Sequence, residues 1–174
     1  GDDQLQSDVF LDFDFLSTTD IGENGYQAGV NHVPIMHEIG HALGLVHPAG
    51  LTGQENTIKY TLMVPNNTST YYHPDLVYQI GETADIYAIG LGLYDVAALQ
   101  EIYGSNHNTR AGDTIYKEGQ GFGATTTTIF HTTIWDGDGI DEIDASSYTK
   151  AVQIDLREGH FSSIGFNGNI SGDT

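Results

Sequence analysis

The sequence predicts an α+β unit followed by the start of an all-β module, and three observations carry that reading. Residues 8–15 alternate apolar and acidic side chains, with Val9, Leu11, Phe13 and Phe15 set against Asp8, Asp12 and Asp14. Two stretches, 35–43 and 91–103, carry helical spacing. From Thr114 onward, short β-rich pieces such as 125–135 and 151–156 are divided by Gly and Asp clusters. A chain of 174 residues, 39% hydrophobic, can bury one respectable core, which excludes a wholly disordered or fibrous chain.

Taken in order, the period-2 run at 8–15 is that of a strand with one wet face, an edge strand. Residues 17–29 supply Thr, Asp, Gly and Asn in close succession, which is loop chemistry. Asn31 then offers a cap and Pro34 suits a first helical turn, so a helix of about three turns is expected through 35–43. Gly44 ends it, Pro48 and Gly50 keep the chain irregular, and 51–82 shows little sustained periodicity. In the second helix Leu93, Val96, Ala97, Gln100 and Tyr103 recur at three- and four-residue spacing, and Gly104 closes it. The β-rich texture begins at 105–115.

Composition narrows the chemistry. Acids number 24 against 5 bases, a net charge of −19. Such a chain lacks the basic surface that releases counterions from a phosphate backbone, so no nucleic-acid partner is expected. Carboxylates in this excess suit calcium sites, a salt- and calcium-containing extracellular medium, or plain solubility. Cysteine is absent, which removes disulfides, iron–sulfur clusters and thiolate zinc sites and leaves His, Asp and Glu to hold any metal. No apolar run approaches the roughly 20 residues that span a bilayer, and 1–6 lack the order of a signal peptide, so no membrane partner is expected.

The strongest chemical signal is His37-Glu38-Ile39-Gly40-His41-Ala42-Leu43-Gly44-Leu45-Val46-His47-Pro48. It contains H-E-x-x-H-x-x-G-x-x-H, the extended zinc motif of metzincins. Residues four apart share a helix face, so His37 and His41 can offer imidazole nitrogens to one ion at about 2.0–2.1 Å. A third His on the continuing helix would point away. Gly44 can adopt the left-handed conformation that turns the chain and brings His47 round, and Pro48 opposes helix continuation. Three neutral ligands leave the ion its full charge and an open position for water, whose pKa falls towards about 7 in such sites. Glu38, about 100° round the helix from His37, is placed to take that water's proton and pass it to the leaving amine. The competing reading is a buried amphipathic helix whose histidines only satisfy hydrogen bonds, and it leaves Gly44 and His47 unexplained. His32 and His73 fall outside the pattern and read as surface or hydrogen-bonded histidines.

With these residues in place, the chain resembles the serralysin family, bacterial secreted members of the metzincins. Residues 93–104 resemble the family's helix after the active site, and 108–116 resemble the stretch leading into its C-terminal calcium-binding module. Trp135-Asp136-Gly137-Asp138-Gly139-Ile140-Asp141 is similar to the family's W-D-x-G-G-x-D turn, and similarity runs over 25–170. The resemblance implies an α+β metzincin catalytic domain over 1–106, a mixed sheet plus the active-site helix. It implies the start of an all-β, calcium-binding β-roll or sandwich module over 107–174. The implied activity is that of a secreted zinc endopeptidase, with His37, His41 and His47 holding zinc and Glu38 as general base. Polypeptide substrates would add as a strand beside a sheet edge, for which 9–15 is the candidate.

The resemblance also implies a Met-turn beneath the metal, which Tyr60-Thr61-Leu62-Met63 can supply. Met63 would be a soft floor under the imidazoles and not a ligand; an ordinary core methionine is the alternative. The family usually places Tyr two residues after that Met, and here the position is Pro65, so no tyrosine ligand is carried over. Tyr71 and Tyr72 read equally well as surface residues.

For calcium, Asp136, Asp138 and Asp141 with Gly137 and Gly139 between them offer hard oxygens in a tight turn, which suits an ion taking 6–8 oxygens. A solvated acidic turn without an ion is the alternative. The resemblance implies a ligand set of main-chain oxygens of Arg110, Gly112, Thr114 and Gly139 with the carboxylates of Asp136 and Asp141. Asp138 stands where the family usually has Gly.

Only 36 residues precede His37, fewer than the sheet and helix that a metzincin domain sets before its active-site helix require. The chain is therefore expected to be a fragment, with an N-terminal segment of the same protein as its partner. A second reading follows from that expectation: a catalytically weak or inactive calcium-binding fragment of such a protease.

Overall fold

The computed structural model describes residues 32–64, 85–118 and 128–165. The strand expected at 8–15, the loop residues Pro65, Tyr71 and Tyr72, and His73 lie outside them, as does the side chain of His32.

Helix α1 (His32–Ala42) starts three residues before the expected position, with Pro34 in its first turn. Proline is tolerated there because the first turn's N–H groups have no intrahelical acceptor. The helix ends where Gly44 adopts φ +93°. Gly44 N–H donates to His41 O at 2.9 Å and Leu45 N–H donates to Gly40 O at 2.9 Å, the paired bonds of a Schellman cap. A 3₁₀ turn, Gly53–Glu55, follows, and the chain then passes into the core.

That core is built from one short segment. Ile58, Tyr60, Leu62, Met63 and Val64 are buried along it with Thr61, and Leu45, Ala88 and Ile164 join from elsewhere. Strand β1 (Asp85–Ala88) leads to helix α2 (Leu93–Tyr103). Helix α2 begins two residues later than expected because Gly92 is its N-cap, whose N–H donates to the Asp95 carboxylate at 2.9 Å. A side chain at Gly92 would overlap the Tyr60 carbonyl, so only glycine lets the helix N-terminus sit this close to 60–61. Tyr94 N–H donates to that same carbonyl at 2.8 Å.

The remaining strands are short: β2 (Ile115–Lys117), β3 (Thr128–His131), β4 (Glu142–Asp144), β5 (Val152–Gln153) and β6 (Ser163–Ile164). β1 pairs with β3 in parallel, from Asp85↔Thr128 to Ala88↔His131. β2 pairs with β4 in parallel and β5 with β6 antiparallel. Among the described residues every sheet is two-stranded, so the larger mixed sheet expected around the helix is not among them. The β1–β3 ladder joins residues on either side of the expected 106/107 boundary. The Tyr60 and Phe161 rings, 5.0 Å apart, join them again, with Lys59 Nζ 3.9 Å from the Phe161 ring centre. No helix among the described residues is long and apolar enough to cross a membrane.

Candidate metal centres

The Schellman cap decides where the third histidine goes. By reversing the chain at Gly44 it brings His47 back over the face that carries His37 and His41, and the candidate ligand atoms of the three lie within 4.8 Å of one another. His37 Nε2 and His47 Nε2 are 3.0 Å apart, and His41 Nε2 and His47 Nε2 are 3.2 Å apart. Three nitrogens at about 2.0–2.1 Å from one tetrahedral ion stand about 3.3–3.4 Å from each other. The two separations to His47 are thus within a few tenths of an ångström of what zinc requires.

The protons on these rings are fixed from behind. His37 Nδ1 is 2.6 Å from Leu62 O and His41 Nδ1 is 2.9 Å from Leu45 O. A carbonyl can only accept, so each Nδ1 carries the proton and each Nε2 presents a lone pair. Two lone pairs then face His47 Nε2, and a single proton there satisfies at most one of them. A cation satisfies all three, which is the chemical fit of this donor set to zinc. Burial, together with the nearby His37 and His41, lowers the His47 pKa, and Glu38 opposes the shift. The lowered value favours the neutral, ligating form. Glu38 is exposed beside the triad.

Met63 is 1% exposed. A Cβ placed on Gly40, in the middle of the motif, would lie 2.5 Å from Met63 Sδ and 3.6 Å from Leu45 Cδ1. The thioether therefore packs against α1 directly beneath the ligand-bearing turn, and Gly40 is the residue that lets it approach. Spacing alone did not single out Gly40; its only signal was a glycine inside a helical pattern.

The second constellation joins the loop 110–114 to the turn 136–141. Gly139, at φ +124°, lies so close to the main chain of Gly112 that a Cβ would stand 2.9 Å from its C and O atoms. Thr114 N–H donates to Asp141 Oδ1 at 3.0 Å, and Ile140 N–H donates to Asp113 Oδ1 at 2.9 Å. Arg110 has φ +50°, the only positive φ of a non-glycine among the described residues. Gly112, Thr114, Gly139 and Asp141 are thus brought together, and Gly137 N–H, which donates to Thr109 O at 2.8 Å, brings the chain at Asp136 beside that at Arg110. Asp138 instead turns its carboxylate back on Gly139 N–H at 2.9 Å.

Asp136 carries the polar atom that this packing leaves over. Its Oδ2 accepts from Tyr116 O–H at 2.5 Å, whereas its Oδ1 is buried with no hydrogen-bond partner. A buried carboxylate oxygen in that condition is costly unless a cation meets it. Burial, then the bond to Asp136, pushes the Tyr116 phenol up to about 12, so it stays a donor at neutral pH. Neither Asp113 nor Tyr116 was marked as part of the site by sequence, because each acts on a residue some 20 or more positions away.

Comparison with known proteins shows the family to which the chain belongs. A family profile described as "Peptidase M10 serralysin C terminal" matches residues 105–173. The chain is 36% identical over 156 residues to Serralysin B of Dickeya chrysanthemi, covering 78% of this chain and 31% of that protein. It is 35% identical over 180 residues to a serralysin of a Photorhabdus species, covering 90% and 34% respectively. The chain belongs to the serralysin family. It is also 33% identical over 171 residues to Metallopeptidase AprA of Pseudomonas marginalis, covering 88% of this chain and 34% of that one. This serralysin-family chain thus spans about a third of the length of the relatives it matches. Zinc and calcium are what the family implies in general.

Proposed function

We propose that this serralysin-family chain carries the zinc centre of a secreted endopeptidase, with a structural calcium site beside it. The observation that carries the reading is the convergence of three imidazole Nε2 atoms, two with their opposite nitrogens committed to backbone carbonyls. Zinc bound there would supply a Lewis acid for the scissile carbonyl and lower the pKa of a water towards about 7. Glu38 would serve as general base, taking a proton from the attacking water as its oxygen adds to the carbonyl carbon. It then delivers the proton to the amide nitrogen as the C–N bond breaks, leaving a carboxylic acid and a free amine. His37, His41 and His47 hold the metal, and Met63 forms the floor that keeps α1 and the 60–63 turn in register.

The calcium part of the reading rests on the unpartnered Asp136 Oδ1 and on the close approach of Gly139 to Gly112. Main-chain oxygens of Arg110, Gly112, Thr114 and Gly139 would complete the shell with Asp136 and Asp141. The substrates are polypeptides, bound as an added strand. The catalytic unit comprises 1–106 together with an N-terminal segment of the same protein, and 107–174 opens a β-roll-type module.

The test is casein hydrolysis by the full-length protein. Chelation abolishes it and zinc restores it; Glu38→Ala abolishes it while zinc content stays at one ion per chain. Undiminished hydrolysis in that variant overturns the mechanism.

A further inference from the structure

Helix α2 contains a charged side chain that the proposed chemistry does not use. Asp95 is 3% exposed, and its carboxylate accepts three hydrogen bonds: from Thr61 Oγ1 at 2.5 Å, from Leu62 N–H at 2.7 Å and from Gly92 N–H at 2.9 Å. Burying a carboxylate is expensive even when it is satisfied. The Gly92 bond alone would be served by an ordinary exposed N3 residue of a capping box. The other two bonds go to the turn under the histidines.

Leu62 stands at the junction. Its N–H donates to Asp95, and its carbonyl accepts the Nδ1 proton of His37 at 2.6 Å. Thr61 Oγ1 donates to Asp95 and accepts from Met63 N–H at 2.9 Å. A continuous path therefore runs from Asp95 Oδ1 through Thr61 Oγ1 and the Leu62–Met63 peptide group to the imidazole, and His37, at 4% exposure, is buried with it. His41 is held differently: its Nδ1 proton goes to Leu45 O, inside its own helix cap, with no charge in the path. A full negative charge on one side of a hydrogen-bonded chain polarises the links beyond it and strengthens them. A stronger bond at Nδ1 makes the opposite nitrogen a better donor to a metal.

The geometry points to Asp95 as a positioning residue for the zinc site: it fixes the Thr61–Leu62–Met63 turn and, through Thr61 Oγ1 and the Leu62–Met63 peptide group, sets the tautomer and ring orientation of His37. This inference rests on the zinc reading above.

Asp95→Asn keeps the shape and removes the charge. In the full-length protein it is expected to weaken zinc binding by roughly 10–100-fold, the usual effect of losing a partner behind a metal-ligating histidine. The proton spectrum supplies a readout that a merely structural role would not move. The His37 Nδ1–H resonance moves upfield in the variant while the His41 Nδ1–H resonance stays in place, in metal-free and zinc-loaded protein alike. A folded variant with unchanged zinc affinity and an unchanged His37 resonance overturns the inference. Equal movement of both histidine signals also overturns it, since that reports general loosening. If Asp95→Asn does not fold, scalar couplings across the Leu62 N–H to Asp95 and His37 Nδ1–H to Leu62 O hydrogen bonds are measured in the unaltered protein, and absence of either overturns it. Should the unaltered protein bind no zinc, the zinc reading fails, while the metal-free spectra still decide whether Asp95 acts on His37.

Discussion

Around His37 the candidate donor atoms are positioned by buried groups, whereas around Asp136 they are positioned by exposed turns. The first region packs Leu62 and Met63, almost inaccessible to solvent, beneath α1, and every backbone group that touches a histidine is anchored in turn. The second buries little: Ile140 is 84% exposed, and its loops meet through main-chain approach at Gly139. The difference teaches that a zinc site built on a helix and a core can hold its shape before the ion arrives. The set built on turns leaves a buried oxygen unpaired at Asp136, which on the proposed reading a calcium ion would meet. Each substitution below is expected to affect one region and spare the other.

The largest effect is expected from His47→Ala. It removes the ligand brought round by the Gly44 cap, and zinc affinity falls by more than the roughly 10–100-fold that partners behind a ligand are worth. The stabilisation by calcium remains, as read by thermal unfolding with and without the ion. Next comes Gly139→Ala, which places a Cβ against Gly112 at a positive φ. Calcium at about 100 times its Kd stabilises a site by about 2.7 kcal/mol; that increment is expected to vanish while zinc content is unchanged. Loss of zinc in this variant would mean that the two regions are one unit.

Gly40→Ala probes the opposite side. A methyl there meets Met63 Sδ in a filled core, so stability is expected to fall by about 1–3 kcal/mol despite alanine's better helix propensity. Equilibrium denaturation checks it, and an unchanged or raised stability would show that Met63 simply moves aside. The smallest effect is a pH effect. Because the Tyr116 phenol is raised to about 12 in the folded chain, its stabilising contribution is present below pH 10 and is lost as pH rises from about 10 to 12. Tyr94 is raised similarly, by burial and by Glu55, to which its O–H donates. Tyr116→Phe should therefore flatten only part of the alkaline decline in calcium-free stability.

The sequence made the zinc donors legible because their spacing is local. His37 and His41 share a helix face, Gly44 must break the helix, and His47 must return within one turn. Helix α2 was legible from its period, although its start shifted to Leu93 because the N-cap is a glycine chosen for close approach to Tyr60. What local pattern could not reveal were partners fixed by tertiary packing: Asp95 beneath the Met-turn, Gly40 against Met63, and Tyr116 on Asp136. Each acts on a residue some 20 or more positions away, and in the sequence each looks like an ordinary helix or strand residue. Among the described residues, Thr128–His131 and Val152–Gln153 are the parts of those β-rich pieces with ladder partners.

The central claim is that three histidines hold one zinc ion through Nε2. X-ray absorption at the zinc edge of the purified full-length protein tests it most directly. The account predicts three imidazole nitrogens at about 2.0–2.1 Å and one oxygen neighbour. A zinc environment with fewer than three imidazoles, or one made of oxygens alone, would contradict it.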